Sequence, residues 1–202
     1  MLKRLLITLF LGIFCSIALA VTSPVDMLQG TSNAMIGALK QNKTTIKTNP
    51  ALVESLARQI LLPHIDVSSM ARLALGRDGW QKATPAQQQE FITQFTTLMI
   101  RTYSTALASY TNQVVQYNPI RGGYENQKQV QVDSKILQQG GPAIPVSYKL
   151  VLRGSQWMVY DFSVDGVSLV QSFRSQFTQT LNQGGMTALL ASLQSHNASR
   201  SK

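Results

Sequence analysis

The sequence contains one cysteine, Cys15, which lies in an N-terminal stretch unlike the rest of the chain. Residues 1–20, MLKRLLITLFLGIFCSIALA, carry Lys3 and Arg4, then an apolar run, then the small-residue ending Ala18-Leu19-Ala20. This is the pattern of a cleavable secretory signal peptide, and the apolar run is shorter than the roughly 20 residues of a membrane-spanning helix. We therefore predict a signal peptide over 1–20 and a single exported domain over 21–202. That domain has no cysteine for a disulfide, a thiolate metal site or a nucleophile.

Patterns typical of catalysis and metal binding are also scarce. His64 lies at a predicted helix end and His196 in the C-terminal tail, where neither is placed to assist a nucleophile. Ser168 lies in GVSLV rather than in a G-x-S-x-G turn. Gly140-Gly141-Pro142 lacks the Lys-Ser/Thr and the following helix of a phosphate-binding loop. The His, Asp and Glu residues show no metal-ligand spacing, and we predict no metal, no cofactor and no enzymatic activity.

Two aspartates nevertheless keep an enzymatic alternative open. Asp161 and Asp165 are four residues apart around a predicted strand end. A carboxylate in a conical α+β scaffold can serve as a general base if its pKa is tuned. A helix-capping role for Asp165 and a solvated or arginine-paired Asp161 are the simpler expectations. The tyrosines that could contribute to such a site are Tyr103, Tyr110, Tyr148 and Tyr160.

Acidic residues are few: 18 Lys and Arg, two of them within residues 1–20, stand against 9 Asp and Glu, for a net charge of +9. In a cytosolic protein this charge would suggest a nucleic-acid partner. In an exported protein it points to anionic lipid head groups or an acidic protein surface, and we predict no nucleic-acid partner. The basic residues are scattered, so solvated charges without any partner are the alternative.

Helical periodicity dominates the first half of the chain. Ser23-Pro24 and Asn49-Pro50 each place a capping residue before a proline, the pattern of a helix start. Asp66 is suited to cap a helix that ends at Gly76. These signals predict several short helices before residue 80.

The strongest helix signal begins at Thr84. Pro85 follows at the first helical position and Gln87 at the third, which predicts a capping box. Apolar residues then recur at helical spacing from Phe91 to Tyr110, and we predict one helix of about 25 residues.

Beyond Asn112 the hydrophobic period changes to two. Four segments have strand character: NQVVQYNPI, KQVQVDSKI, IPVSYKLVLR and QWMVYDFSV. Short connections containing glycine join the later segments, so we predict an antiparallel, curved, four-stranded sheet. One face of this sheet is apolar and must be covered by helices, which gives an α+β fold.

The C-terminal region returns to helical periodicity. Asp165 is expected to cap a helix that carries Val170, Phe173 and Phe177 on its apolar face and ends at Gly184-Gly185. A last short helix follows, and the tail SHNASRSK is predicted to be disordered.

Several of these segments resemble one known family. The motifs are MARLALG, the W-x-x-ATPAQQ helix start, F-x-x-x-F followed by RTYSTALASY, and WMVYDFSVDGVSLVQSFRSQF. In this order, over about residues 25 to 195, the chain resembles the MlaC family of periplasmic phospholipid-binding proteins, also called toluene-tolerance auxiliary proteins. The resemblance implies a periplasmic location and a sheet-and-helix fold, partly like the cone of nuclear transport factor 2 (NTF2), with an apolar cavity for phospholipid acyl chains.

The resemblance also implies two protein partners. One is an outer-membrane lipoprotein associated with a porin, and the other is an inner-membrane ABC transporter with an MCE-domain ring. Traffic between them would maintain the lipid asymmetry of the outer membrane. A small-molecule enzyme on the same cone and a structural adaptor of the transport complex are the alternatives.

The expected lipid-binding residues lie on the apolar faces of the sheet and of the helices that cover it. They are Leu98, Met99, Tyr103, Leu107, Tyr110, Val130, Val132, Tyr148, Leu150, Trp157, Val170, Phe173 and Phe177. Arg174 follows Phe173 and so leaves the apolar stripe; we expect it on the surface, available for docking to an acidic partner.

Overall fold

The structure is a computed structural model that describes residues 22–109, 112–138 and 140–199. The predicted signal peptide, Tyr110 and the last three residues lie outside this part of the chain. The helices are α1 (Pro24–Gln41), α2 (Lys43–Thr48), α3 (Ala51–Leu56), α4 (Val67–Lys82), α5 (Pro85–Ala108) and α6 (Leu169–Ser199). A π-helical turn (Ala57–Leu61) and a 3-10 turn (Leu62–His64) connect α3 to α4.

The predicted helix starts depend on local capping chemistry. The Asp26 amide donates to the Ser23 hydroxyl oxygen at the start of α1. The capping box of α5 is confirmed, because the Gln87 amide donates to Thr84 Oγ1 and the Thr84 amide donates to Gln87 Oε1. Two orphan amides of the first turn are thereby satisfied, which fixes where the longest uninterrupted helix begins.

The strands form one antiparallel sheet in the order β1-β2-β3-β4-β5. Their bounds are β1 (Val114–Tyr117), β2 (Gln129–Leu137), β3 (Ile144–Arg153), β4 (Gln156–Val164) and β5 (Val167–Ser168). The expectation of four strands is therefore wrong by one. The additional strand has only two residues and reverses through the Asp165-Gly166 turn, so it is too short to show a period of two.

Strand β4 contains a bulge that changes which residues face inward. Lys149 pairs with Asp161 and Leu150 pairs with Val159, so Tyr160 has no partner on β3. Because one residue is added, Val159 and Phe162 lie on the same face although they are three positions apart. Asp161 consequently points to the opposite face, towards Lys149.

Two apolar clusters hold the described residues together. The larger one joins the inner face of the sheet to α4, α5 and α6, and its fully buried members include Met70, Phe91, Phe95, Val132 and Leu150. A smaller cluster packs α1, α2 and α3 against the C-terminal half of α5 through Met35, Leu39, Ile46, Val53, Ala57 and Ile100. Helix α5 takes part in both and is the central element of the fold.

The segment MARLALG lies in α4 and ends at Gly76, and Asp66 is the predicted cap of this helix. The Asp66 carboxylate accepts from the Ser69 amide at 3.0 Å and the Ser69 hydroxyl at 2.7 Å, and Arg153 Nη2 lies 2.7 Å away. Helical geometry is interrupted at Gly76, whose φ of 77° favours glycine, and then resumes up to Lys82. The cap is confirmed, whereas the helix end predicted at Gly76 is a kink.

The Asp66 contacts predict an acid-sensitive contribution to stability. Burial alone would raise the pKa of Asp66, but hydrogen bonds from Ser69 and Arg153 outweigh it and hold the pKa below its usual value near 3.8. The stabilisation is therefore complete above the ordinary pKa and is lost as the pH falls through the lowered folded-state pKa. Asp66→Ala should cost about 1 to 2 kcal/mol at neutral pH through the lost cap.

Denaturant unfolding between pH 2.5 and 7 tests this expectation. Asp66→Asn keeps a capping oxygen but cannot titrate, so the loss of stability on acidification should be shallower than in the wild type. The matched control is Asp78→Asn, because Asp78 is exposed on the same helix. If the free energy of unfolding fell equally steeply with decreasing pH in the wild type and in Asp66→Asn, Asp66 would not be the source of the acid sensitivity.

The C-terminal helix differs from the prediction at both ends. Asp165 does not cap it; this residue has a φ of 50° in the β4–β5 turn, and its amide donates to the Pro145 carbonyl. The break predicted at Gly184-Gly185 is confirmed by the non-helical Gly185. The helix then continues to Ser199, so the tail is not disordered over its described residues. Asn197 is buried, and its amide donates to the carbonyl and side-chain oxygens of Gln94.

Candidate functional site

The inner face of the sheet contains both buried and half-buried positions. Leu150 and Val159, which pair across β3 and β4, are buried. The next pair on this face, Tyr148 and Phe162, is half-buried. Val164, at the end of β4, is 37% exposed. The accessible positions of the inner face are therefore local, because Val146, which pairs with Val164, is buried.

A row of aromatic rings crosses the half-buried part of this face. The ring of Tyr103 on α5 meets that of Phe162 edge-on, with centroids 5.6 Å apart. Phe162 lies 6.5 Å from Tyr148, which lies 6.1 Å from Tyr117 on β1. These rings connect α5 to the first strand, and they present a broad surface that is apolar except for the phenol groups.

Hydroxyl groups accompany these rings. The Tyr117 hydroxyl and the Ser32 hydroxyl are 2.5 Å apart, and Tyr117 also donates to the Leu28 carbonyl, so β1 is tied to α1. Burial raises the pKa of Tyr103, Tyr117 and Tyr148 above the usual tyrosine value. Phenols with a raised pKa keep their protons at neutral pH and act as hydrogen-bond donors rather than as bases.

Most residues predicted to bind lipid lie in the larger cluster. Those that are buried there are Leu98, Met99, Val130, Val132, Leu150, Trp157, Val170, Phe173 and Phe177. Tyr103 and Tyr148 are half-buried against it, whereas Leu107 packs against the smaller cluster. Tyr110 lies outside the described residues. The structure thus brings nearly all of the predicted set into one apolar interior.

Phe173 and Phe177 have a distinct environment within that interior. Phe173 meets Phe95 edge-on at 5.2 Å, and Phe177 meets Phe91 edge-on at 5.5 Å. Phe91 and Phe95 themselves stack at 5.7 Å. The four rings fill the contact between α5 and α6, so a lipid-contacting role for Phe173 and Phe177 stays a prediction.

Sequence reasoning missed three residues of the half-buried surface: Phe162, Tyr117 and Ser32. Phe162 would point away from the face of Trp157 and Val159 in a regular strand, and the bulge brings it inward. Tyr117 and Ser32 are 85 residues apart, and no local pattern connects them. The aromatic composition of QWMVYDFSV was the available signal for Phe162.

Asp161 and Asp165, the two aspartates of the enzymatic alternative, both form hydrogen bonds within the fold. Asp161 is buried, and its carboxylate accepts from the Ser168 hydroxyl, the Val170 amide and Lys149 Nζ. It is therefore neither solvated nor paired with arginine, as the sequence suggested, but anchors the first turn of α6. Asp165 lies in the β4–β5 turn described above.

Three other features concern function: the position of Arg174, groups of metal-binding residues and membrane-spanning helices. Arg174 is exposed, as expected. Its guanidinium group lies close to Gly76 of α4, since its Nε is 3.2 Å from the position that a Cβ atom at Gly76 would take. Residues 22–109, 112–138 and 140–199 contain no group of three His, Cys, Asp or Glu that could hold a metal ion. Over the same ranges, no helix has the length and apolar character needed to cross a bilayer.

Among the pockets on the surface of the described residues, two have well-defined walls. A cleft of about 540 Å³ lies under the β1–β2 connection and is lined mainly by polar residues, among them Asn118, Arg121, Gln131 and Asp133. A pocket of about 210 Å³ lies at the C-terminal end of α5, with Leu107 and Ile46 in its wall beside Lys43 and Lys47. Leu98 and Met99 line neither of these pockets.

These features define a class of protein. An antiparallel sheet packs against helices, and their common interior carries large aliphatic and aromatic side chains with a few hydroxyl groups. A half-buried aromatic surface with a few hydroxyl groups, such as that of Tyr103, Phe162, Tyr148 and Tyr117, is typical of the lining of sites for small apolar ligands.

Comparison with known proteins identifies the family. The profile described as MlaC protein matches residues 29–195, and the chain belongs to the MlaC family. It is 31% identical to the toluene tolerance protein ttg2D of Pseudomonas putida over 91% of this chain and 84% of that protein. It is 28% identical to the intermembrane phospholipid transport system binding protein MlaC of Haemophilus influenzae, over 88% and 83% of the two chains.

A solved structure has the same fold. It is the phospholipid-binding protein from Ralstonia solanacearum in complex with a phospholipid, with a TM-score of 0.80 and 29% sequence identity. The similarity covers 88% of this chain and 98% of that one. The predicted family and the α+β class with an antiparallel sheet are both confirmed.

Proposed function

We propose that this protein is a periplasmic phospholipid carrier that moves lipid between the outer-membrane lipoprotein–porin complex and the inner-membrane MCE-domain ABC transporter. The observation that carries the proposal is the fold shared with a protein solved with bound phospholipid, at a TM-score of 0.80. The Haemophilus influenzae relative, named as the binding protein of an intermembrane phospholipid transport system, supports the same role. No catalytic step belongs to this function.

The domain organisation follows from the same proposal. Residues 1–20 act as a cleavable signal peptide that directs the chain to the periplasm, and residues 21–202 act as one lipid-binding domain. The larger apolar cluster supports the single domain, because it contains residues from α1, α4, α5 and α6 and from β2, β3 and β4.

The acyl chains are held between α5 and the inner face of the sheet, in an NTF2-like cone. Tyr103, Tyr148 and Phe162 support this location, because they remain half-buried where the interior is otherwise closed. The buried residues predicted to bind lipid surround them, and the chains would separate α5 from the sheet. The raised pKa of the tyrosine phenols keeps neutral donors there for the lipid ester groups.

The energy of chain burial determines how the lipid leaves. Each buried methylene contributes about 0.8 kcal/mol, so two chains with about 30 methylenes contribute roughly 24 kcal/mol relative to water. Spontaneous release into water is then far too slow for transport. Release therefore requires docking to a partner that offers another apolar path. Exposed basic residues such as Arg174 would orient the carrier on its partners rather than hold the lipid.

Organic extraction of protein purified from the periplasm without detergent tests the function. Mass spectrometry should find about one diacyl phospholipid per protein. Mixed head groups are expected, because the basic residues are scattered along the chain. Protein that is free of lipid yet fully active in transport would overturn the proposal and favour the adaptor.

Two tryptophan variants locate the lipid. Val132 and Val53 are both fully buried, the first on the inner face of the sheet and the second in the smaller cluster. Both Val132→Trp and Val53→Trp should overpack a closed site and cost about 1 to 3 kcal/mol. Only Val132→Trp should lower the phospholipid content per folded protein several-fold. Equal lipid content in the two variants would place the chains elsewhere.

A further inference from the structure

Strand β2 has an edge that β1 covers only in part. Strand β1 pairs with residues 134–137 of β2, and the Asn118 amide adds one bond to the Asp133 carbonyl. Because β2 begins at Gln129, its residues 129–132 extend beyond the end of this pairing. Asn118 is followed by Pro119, which has no amide hydrogen to donate, and the chain leaves the sheet there. A stretch of β2 is thereby left without a neighbouring strand.

The hydrogen-bond pattern shows which main-chain groups this stretch leaves unpaired. Alternate residues of an antiparallel strand bond to one neighbour, and the residues between them bond to the other. The Leu152 amide donates to the Lys128 carbonyl, so the even-numbered residues of β2 bond to β3. The amide and carbonyl groups of Gln129 and Gln131 therefore point to the side of β1. Within the described ranges, no strand or loop residue forms a main-chain hydrogen bond to these groups.

The opposite edge of the sheet is covered by the chain itself. Strand β5 pairs with the end of β4. Ile65 forms a parallel bridge to Val159, whose carbonyl accepts from the Asp66 amide at 2.9 Å. The uncovered residues 129–132 of β2 include neither the lysine nor the proline that commonly protects an open edge from pairing. This edge is therefore suited to accept another strand.

The cleft under the β1–β2 connection lies along the uncovered edge. It has a volume of about 540 Å³. Its wall is formed by Val130, Gln131 and Asp133 of β2 and by Gln127 and residues 118–121 of the connection. Because residues 118–121 follow β1 directly, the cleft occupies the place where a longer β1 would continue.

The chemistry of the cleft indicates an extended, acidic polypeptide as the ligand. Donors and acceptors that recur at every second residue of a strand are matched by another extended main chain. Arg121 is exposed in the wall, and among the described residues its guanidinium group forms no ion pair. The Asp133 carboxylate, in contrast, accepts from the Ser147 hydroxyl at 2.6 Å and from the Gln131 side chain at 2.9 Å. The positive charge is the one without a partner, and it favours an acidic side chain on the ligand.

We propose that the free edge of β2 at residues 129–131 is a docking site for a partner protein, which adds an extended acidic segment to the sheet as a further strand. The segment lies in the cleft, continues the line of β1 and exchanges main-chain hydrogen bonds with Gln131. Its acidic side chain pairs with Arg121. This site goes beyond the carrier function and does not depend on it, because its contacts are made with main-chain groups at the sheet edge.

Amide hydrogen exchange measured by NMR tests whether the edge is open. In the free protein, the Gln129 and Gln131 amides should exchange about tenfold faster than those of Val130 and Val132, which bond to β3. The pentapeptide acetyl-Thr-Val-Glu-Val-Thr-amide, at millimolar concentration, should then slow the exchange at Gln131 about tenfold. Slow exchange of Gln131 in the free protein, or no response to the peptide, would overturn the proposal.

Two substitutions separate main-chain recognition from side-chain recognition. Gln131→Pro removes the amide hydrogen that faces the cleft, and proline is tolerated at such a position of an edge strand. It should weaken binding of the fluorescein-labelled pentapeptide about tenfold, as measured by fluorescence anisotropy. The matched control Gln131→Thr keeps the amide hydrogen and should bind the peptide as the wild type does. Equal affinities of the two variants would overturn the addition of a strand.

Changes in the peptide give the same test without altering the protein. N-methylation of the central Glu, or of both Val residues, removes the donors from one edge of the peptide at a time. An added strand bonds along one edge only, so one methylated peptide should lose about tenfold in affinity and the other should not. Equal losses for the two methylated peptides would contradict the proposal.

Charge reversal tests the role of Arg121. A pentapeptide with Lys in place of Glu should bind the wild type about threefold more weakly, the range of an exposed ion pair. Arg121→Glu should reverse this preference, and an unchanged preference would remove Arg121 from the site.

Two further results would assign the edge to another occupant and overturn a protein partner. One is dimerisation of the wild type that Gln131→Pro abolishes, which would indicate a second copy of this chain. The other is protection of the Gln131 amide by phosphatidylglycerol vesicles, which would indicate a membrane surface.

Discussion

Phe95→Ala is expected to lower the free energy of unfolding by about 3 to 5 kcal/mol, the range measured for large-to-small substitutions of buried aromatic residues. Phe95 is fully buried and contacts three other rings, those of Phe91, Phe173 and Phe177. Removal of its ring leaves a cavity between α5 and α6 that the two helices cannot close without losing their other contacts. Denaturant unfolding of delipidated protein measures the loss.

Leu73→Ala is the control for Phe95→Ala, since Leu73 is exposed and should cost less than about 0.5 kcal/mol. A loss below about 1.5 kcal/mol for Phe95→Ala would contradict a closely packed helix contact. The lipid content of the folded fraction also reports on Phe173 and Phe177. A fall would support their predicted contact with lipid, and an unchanged content would restrict them to helix packing.

Asp161→Ala should have the second largest effect, about 3 kcal/mol, because hydrogen bonds to a charged group contribute about 1.5 to 3 kcal/mol. The substitution leaves the Ser168 hydroxyl and the Val170 amide without their acceptor at the start of α6. The Val170 amide is buried and cannot be solvated without local opening. We therefore expect the first turn of α6 to exchange its amide hydrogens faster than in the wild type.

Lys149→Ala provides the comparison for Asp161→Ala. Its side chain is 47% exposed, so its ion pair with Asp161 is screened by water and should contribute less than about 1 kcal/mol. Thermal melting and amide hydrogen exchange of the two variants separate the roles of the carboxylate. Equal losses would mean that the ion pair, rather than the anchoring of α6, is what Asp161 contributes.

Local chemistry made much of the fold predictable. Thr84-Pro85 with Gln87 contains a complete capping box in four consecutive residues, and α5 begins there. Alternation is clear in β2, where Val130 and Val132 are buried between exposed polar residues. The sequence did not predict the ends of elements that are fixed by contacts between residues far apart in the chain. The end of α6 depends on Asn197 and Gln94, which are 103 residues apart.

The sequence predicted which residues lie in the interior, but it did not predict how they are arranged there. Apolar periodicity identified the inner faces, and nearly all of the predicted residues lie in one cluster. Periodicity does not indicate which of these positions remain accessible. Tyr148 and Phe162 are half-buried and Leu150 is fully buried, although all three lie on the same face of the sheet. The Ser32–Tyr117 contact depends on the packing of α1 against β1, to which no sequence pattern refers.

The bulge at Tyr160 makes the length of β4 as important as its composition. Before the bulge the odd-numbered residues of β4 face the interior, and after it the even-numbered residues do, because Val159 and Phe162 lie on the same face. Deletion of one residue here would turn Phe162 and Val164 outward or carry the Asp161 carboxylate into the apolar interior. Relatives of this chain should therefore exchange side chains freely along β4 while keeping the number of residues between Trp157 and Asp165 constant. Insertions and deletions should instead accumulate in the connection between β1 and β2.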